Sequence, residues 1–117
     1  MPYMLMIVEP VGQRRERGVA AGHAVYDRML AFAESLKTRG VLRGVESLAS
    51  LDEGARLQVR DGKTRVLDGP FAEAKEMVGG FFLVDVATLA EAMAIAAECP
   101  AAEWCTVEIR KVGPCWA

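Results

Sequence analysis

Two apolar runs constrain this chain more than any other feature. Tyr3-Met4-Leu5-Met6-Ile7-Val8 and Phe81-Phe82-Leu83-Val84 are continuous, not alternating. A strand with one wet face alternates, whereas a run apolar at both parities suits a strand covered on both sides. Met4, Met6 and Val8 then share one face, and Leu5 and Ile7 the other. Likewise Phe81 and Leu83 oppose Phe82, Val84 and Val86. Only two helix patterns accompany these runs. Two helices cover one face of a sheet and leave the second apolar, which soluble monomers seldom expose. A homodimer packed sheet against sheet is therefore expected, because a two-fold axis lets one patch serve both chains.

The first helix pattern spans about Ala20 to Arg39, with Val25, Met29, Phe32 and Leu36 in one stripe. Lys37 and Arg39 favour the helix dipole before Gly40 stops it. Gly18 and Gly22 weaken the stretch before it, so Gln13 to Gly22 reads as a mobile loop. The second helix runs from Leu89 to about Glu98, opened by Thr88 and Glu91 in a capping box and ended by Pro100. Val41 to Leu48 and Trp104 to Lys111 are further strands. Asp61-Gly62-Lys63 between Leu57–Arg60 and Thr64–Leu67 predicts a hairpin. The order strand, helix, strand, hairpin, strand, helix, strand is an α+β, ferredoxin-like βαββαβ arrangement with an extra hairpin. The two most apolar runs take its central positions. At 117 residues, positions 1–117 form a single domain.

Between the hairpin and the second apolar run lies Asp68-Gly69-Pro70-Phe71-Ala72-Glu73-Ala74-Lys75-Glu76, closed by Gly79-Gly80. Gly69 and Pro70 restrict the backbone to a turn that Phe71 can anchor in a core. Asp68 can bond the backbone two residues on and set that turn, or face a pocket and bind a cationic or hydroxylated ligand. Glu73, Lys75 and Glu76 either form a solvated turn of helix or line a cleft beside the sheet. These four, together with His23, are the candidate ligand-binding residues. His23 is an imidazole, a side chain suited to a general base. Its plainer reading is a solvent-facing residue at a helix start, since only Asp27 stands one turn away to orient it. No catalytic residue is assigned.

Composition narrows the function classes. With 52% hydrophobic and 26% charged residues and a net charge of -2, the chain lacks the basic footprint of a nucleic-acid binder. Arg14, Arg15 and Arg17 cluster, but Glu16 interrupts them and no aromatic residues interleave. No apolar run reaches the roughly 18 residues of a membrane span. The opening stretch meets Glu9 too early for a signal peptide. Cys99, Cys105 and Cys115 sit in no metal-type spacing, and His23 is the single histidine, so neither a metal nor another cofactor is expected. Free thiols fit a reducing cytoplasm. Cys99 has no flanking cation to make it nucleophilic and reads as a buried thiol. Trp104 and Trp116 fill a core or an interface, or stack on a ligand.

The stretch Asp68-Gly69-Pro70-Phe71-Ala72-Glu73-Ala74-Lys75-Glu76 with Gly79-Gly80-Phe81 resembles the signature of the DGPF-domain branch of the YCII-related family. Tyr3–Ile7 and Val107–Arg110 fit the same pattern, and the likeness covers nearly the whole chain. It implies a small, bacterial, cytoplasmic protein with a ferredoxin-like fold, paired into a dimeric α/β barrel. Some such proteins are encoded beside, or fused to, extracytoplasmic-function sigma factors, which implies a possible regulatory partner. The YCII branch is associated with a His-Asp pair. Here Arg28 stands near the histidine position and Cys99 at the aspartate position, so a proton-transfer pair is not expected. Three functions follow: a small-molecule binder or modest enzyme with its site beside the Asp68–Glu76 turn, a non-enzymatic regulatory partner, or an inert dimeric scaffold. The fold alone does not choose among them.

Overall fold

The computed structural model describes residues 2–116. Its elements are β1 (Tyr3–Pro10), α1 (Gln13–Arg17), α2 (Val19–Thr38), β2 (Leu42–Ser47), β3 (Ala55–Arg60), β4 (Lys63–Asp68), β5 (Glu76–Val84), α3 (Leu89–Glu98) and β6 (Thr106–Lys111), with short 3-10 turns at Leu51–Glu53 and Pro100–Glu103. Four strands form an antiparallel sheet in the order β2-β5-β1-β6, and β3 pairs only with β4. The two apolar runs hold the centre, as their two-sided hydrophobicity requires. The architecture is α+β and compatible with a ferredoxin-like fold.

The register places the side chains. Tyr3, Leu5, Ile7, Phe82 and Val84 are buried beneath the helices, with Phe32, Leu36, Ala92, Ile95 and Ala96 above them. Phe32 meets Phe82 edge to face, with centroids 5.1 Å apart, a favoured aromatic geometry. On the opposite face Met4 pairs with Leu83 and Met6 with Phe81. These four are only half-buried, and no helix covers them. Helix α3 starts as its sequence requires: Thr88 Oγ1 accepts from the Glu91 amide at 3.2 Å, and Glu91 Oε2 accepts from the Ala87 amide at 3.3 Å. The Asp61-Gly62 turn has φ of 52° and 72°, the two positive angles of a type I′ hairpin.

Two local expectations are corrected. Gln13 to Gly22 is not a loop: Gln13–Arg17 is a helix, Gly18 at φ 83° redirects the chain, and α2 begins at Val19. Glycine propensity is weak there because tertiary bonds hold α1, among them Gln13 Nε2 donating to the Trp104 carbonyl at 2.7 Å. Gly79-Gly80 does not precede the strand but lies inside β5. Ile7 pairs with Gly80 and Val8 with Val78, so Gly79 is the extra residue of a bulge. The bulge switches parity. Below it Met77, not Val78, turns to the helix side opposite Glu9.

The hairpin β3–β4 stands apart. All its residues are exposed, and Leu57, Val59 and Val66 are each more than half exposed. The molecule measures 46 × 41 × 18 Å with a radius of gyration of 16.0 Å, against roughly 13 Å for a compact chain of this size. At the hairpin's base Phe71 is buried, with the Arg56 guanidinium 4.0 Å from its ring centroid.

Candidate functional site

Alternation along β1 sends Tyr3, Leu5, Ile7 and Glu9 to one face. The last of these is a carboxylate at a core position, 4% exposed. A buried charge needs a partner, and the short helix α1 supplies it. Arg14 donates to Glu9 Oε1 from Nε at 3.0 Å and also from Nη2. The same guanidinium caps two backbone carbonyls, Leu48 at 2.8 Å and Gly79 at 3.4 Å. Gly79 makes room for this arrangement. A Cβ there would lie 2.0 Å from Glu9 Oε1 and 2.9 Å from Arg14 Nη2. The bulge, the absent side chain, the carboxylate and the arginine therefore form one unit.

Beside this unit a cavity of about 870 Å³ opens between α2 and the sheet, within the size range of small-molecule sites. Ile7, Val25, Met29, Ala33 and Phe82 give it apolar walls, and Glu9, Arg14, Gly79 and Gly80 line it as well. Arg15, Arg17, His23, Tyr26, Trp104 and Cys105 also line it. Both Arg14 bonds go to Glu9 Oε1, and Oε2 accepts none among the described residues. No side-chain polar atom among those residues is sealed without a partner, so Oε2 keeps some exposure, and Glu9 is among the residues that line the cavity. Cys105 Sγ donates to Gln13 Oε1 at 3.4 Å. Burial first, and the nearby Glu9 carboxylate second, push this thiol up to about 11, so at neutral pH it is not a thiolate nucleophile.

Of the five candidate ligand-binding residues, Asp68, Glu73, Lys75, Glu76 and His23, only His23 lines this cavity. Asp68, Glu73, Lys75 and Glu76 are all exposed, and none makes a side-chain hydrogen bond or ion pair among the described residues. The turn spends its buried position on Phe71, and its charges therefore face water. Gly69 is fixed by packing: its amide donates to the Gly54 carbonyl at 2.8 Å, and a Cβ on it would fall 1.7 Å from the Leu51 carbonyl oxygen. At the places of the expected His-Asp pair, Arg28 is ion-paired with Glu103, while Cys99 is buried and its thiol pushed up by that burial. No group of three or more His, Cys, Asp or Glu among the described residues is placed to hold a metal ion. No helix among them is long and apolar enough to cross a membrane.

Sequence reasoning missed Glu9 and Arg14 as site residues, and it named Trp104 only as a core, interface or ligand-stacking residue. A signal for the first two was present. Glu9 continues the inward parity Tyr3-Leu5-Ile7, and a core carboxylate calls for a cation, which Arg14 provides five residues on.

Comparison with known proteins places the chain. The YCII-related domain matches residues 1–115. The chain belongs to the YCII-related family. A similar protein of Rhizobium meliloti (strain 1021), described as uncharacterized, is 46% identical over 54 residues. That match covers 46% of this chain and 44% of the relative, so the chain spans less than half of that protein's length. Within this YCII-related protein, the Glu9–Arg14 unit and its cavity are the best-formed place for chemistry.

Proposed function

We propose that this YCII-related protein, of the DGPF branch, binds a small molecule in the cavity between α2 and the β1–β5 sheet. The observation that carries this reading is an apolar pocket of about 870 Å³ with a buried, arginine-held carboxylate among its lining residues. Pockets of that size with few, convergent polar groups are the usual form of a ligand site. The Asp68–Glu76 turn supports the site by fixing the chain ahead of the Gly79 bulge. Whether the bound molecule also reacts depends on Glu9, whose Oε2 is the group able to take a proton from it. The test is a thermal-shift screen of metabolites on the parent and on Val25→Trp, which pushes an indole into the cavity from its α2 wall. A ligand at one hundred times its Kd stabilises by about 2.7 kcal/mol. Loss of that gain in Val25→Trp supports the reading. Equal stabilisation of both proteins, or no ligand from a broad panel, rejects it.

The uncovered face of the sheet, with Met4, Met6, Phe81 and Leu83, is assigned to a second copy of the chain, giving a homodimer of the dimeric-barrel type. On β6 Glu108 lies opposite Met6 and Arg110 opposite Met4. A two-fold axis can thus set unlike charges against each other at the rim of this apolar patch. A cytoplasmic location accords with three free cysteines. A second functional reading is a regulatory partner of an extracytoplasmic-function sigma factor. The exposed Leu57, Val59 and Val66 of the hairpin favour it. Titrating such a factor with the parent and with a Leu57→Lys, Val66→Lys variant tests it, and equal binding by both would exclude the hairpin.

A further inference from the structure

The charges around the cavity do not balance, and the imbalance points to the ligand. Two carboxylates, three guanidiniums and one imidazole belong to lining residues: Glu9, Glu46, Arg14, Arg15, Arg17 and His23. Glu9 and Arg14 neutralise each other. Arg15 is highly exposed and lies 3.7 Å from Asp52. Glu46 pairs in register with Phe81, so its carboxylate belongs to the opposite face of the sheet and only its backbone borders the cavity. Arg17 and His23 remain at the mouth.

Arg17 is the unusual one. Its guanidinium lies 5.6 Å from the Trp104 ring centroid, and the Arg28 guanidinium lies 5.4 Å from the same centroid. Two cations thus share one indole. Arg28 has the Glu103 carboxylate, but Arg17 has no ion-pair partner among the described residues. A half-buried guanidinium held on an aromatic face, beside a second cation and without an anion, forms an anion subsite. The indole fixes the arginine in place, so little ordering cost remains when an anion arrives. Behind it the walls are apolar: Val25, Met29, Ala33 and Phe82.

We propose that the cavity takes an amphipathic monoanion, an acid with an apolar body. Its charged group sits at Arg17, beside His23. Its body lies against Val25, Met29 and Phe82, with its far end toward Glu9 Oε2, which accepts from a hydroxyl or N–H. This rests on the cavity being a ligand site. A purely apolar molecule would leave Arg17 unanswered, and a dianion would meet Glu9.

Two fluorescent probes with the same body separate the two claims: 1-anilinonaphthalene-8-sulfonate, an anion, and N-phenyl-1-naphthylamine, which is neutral. Each is titrated into the parent, Arg17→Gln and Val25→Trp. The parent is expected to bind the sulfonate about tenfold more tightly than the neutral probe. Arg17→Gln should lose that preference while keeping its affinity for the neutral probe. Val25→Trp should lose both. If the parent binds the two probes equally, the anion subsite is wrong and the cavity stands. If the sulfonate preference survives in Arg17→Gln, Arg17 is not the subsite. If neither probe binds the parent, or both bind Val25→Trp as well as the parent, the cavity reading itself falls, because such binding lies on the open sheet face or the hairpin.

Discussion

Glu9 and Arg14 show how unequal the two halves of an ion pair can be. The Glu9 side chain is 6% exposed and that of Arg14 is 36% exposed. Arg14→Ala strands a buried carboxylate and two carbonyls, and breaking such a pair from one side costs about 3 kcal/mol. Glu9→Gln keeps an acceptor for Arg14 and should cost about 1 kcal/mol. Denaturant melts of both variants check the asymmetry, and equal losses would mean that the pair is solvated. Gly79→Ala should lose stability by the same route, since its methyl would occupy the space of Glu9 Oε1, and the double variant with Arg14→Ala should be less than additive. The thiols give a pH prediction. Cys105 holds its proton to about 11 in the folded state against 9.0 for an ordinary thiol. The folded state therefore binds more protons in that window, and stability should fall as pH rises from about 9 to about 11. Cys105→Ser should flatten that fall. Iodoacetamide at pH 8 should modify exposed Cys115 well before Cys105 or Cys99.

At the scale of elements, the hairpin β3–β4 depends on its base. A two-stranded hairpin alone is marginal in water, and this one packs no side chain of its strands into the core. Phe71 sits beneath Arg56 and beside Gly54, and so ties the base of β3 to the turn that leads into β5. Phe71→Ala should cost about 3–5 kcal/mol, as truncation of a buried aromatic does, and should loosen the hairpin first in hydrogen exchange. A variant that melts like the parent would show that Phe71 faces a ligand or partner instead. Much at this scale was legible in the sequence. The hairpin followed from Asp61-Gly62, the α3 start from Thr88 and Glu91, and the central strands from their two-sided hydrophobicity. Helix α1 was not legible, because five residues carry too little periodicity and what holds them is a bond to Trp104, ninety-one positions away.

For the whole molecule the uncovered sheet face is decisive. Phe81 and Leu83 point away from the helices, so Leu83→Lys changes the surface and not the core. The parent should sediment as a dimer at micromolar concentration, and Leu83→Lys should shift toward monomer with its circular dichroism unchanged. A parent that is a stable monomer would end the dimer proposal. A dimer unaffected by Leu83→Lys would move the contact to another surface, for which the exposed Leu57, Val59 and Val66 of the β3–β4 hairpin are candidates.

The sequence by itself determined the element order apart from α1, the central strands, the buried stripe of α2 and the family, because each is written in local periodicity, caps or a contiguous motif. It could not say that Asp68, Glu73, Lys75 and Glu76 would all face water, because a charged turn reads the same whether it lines a cleft or rims a surface. Only the tertiary structure brought Glu9, Arg14, Arg17, His23 and Trp104 around one cavity. The physical reason is that the bulge at Gly79 arises from the pairing of β1 with β5, and α1 is held by bonds from Gln13 to Trp104 and from Arg14 to Leu48, all between segments far apart in the chain.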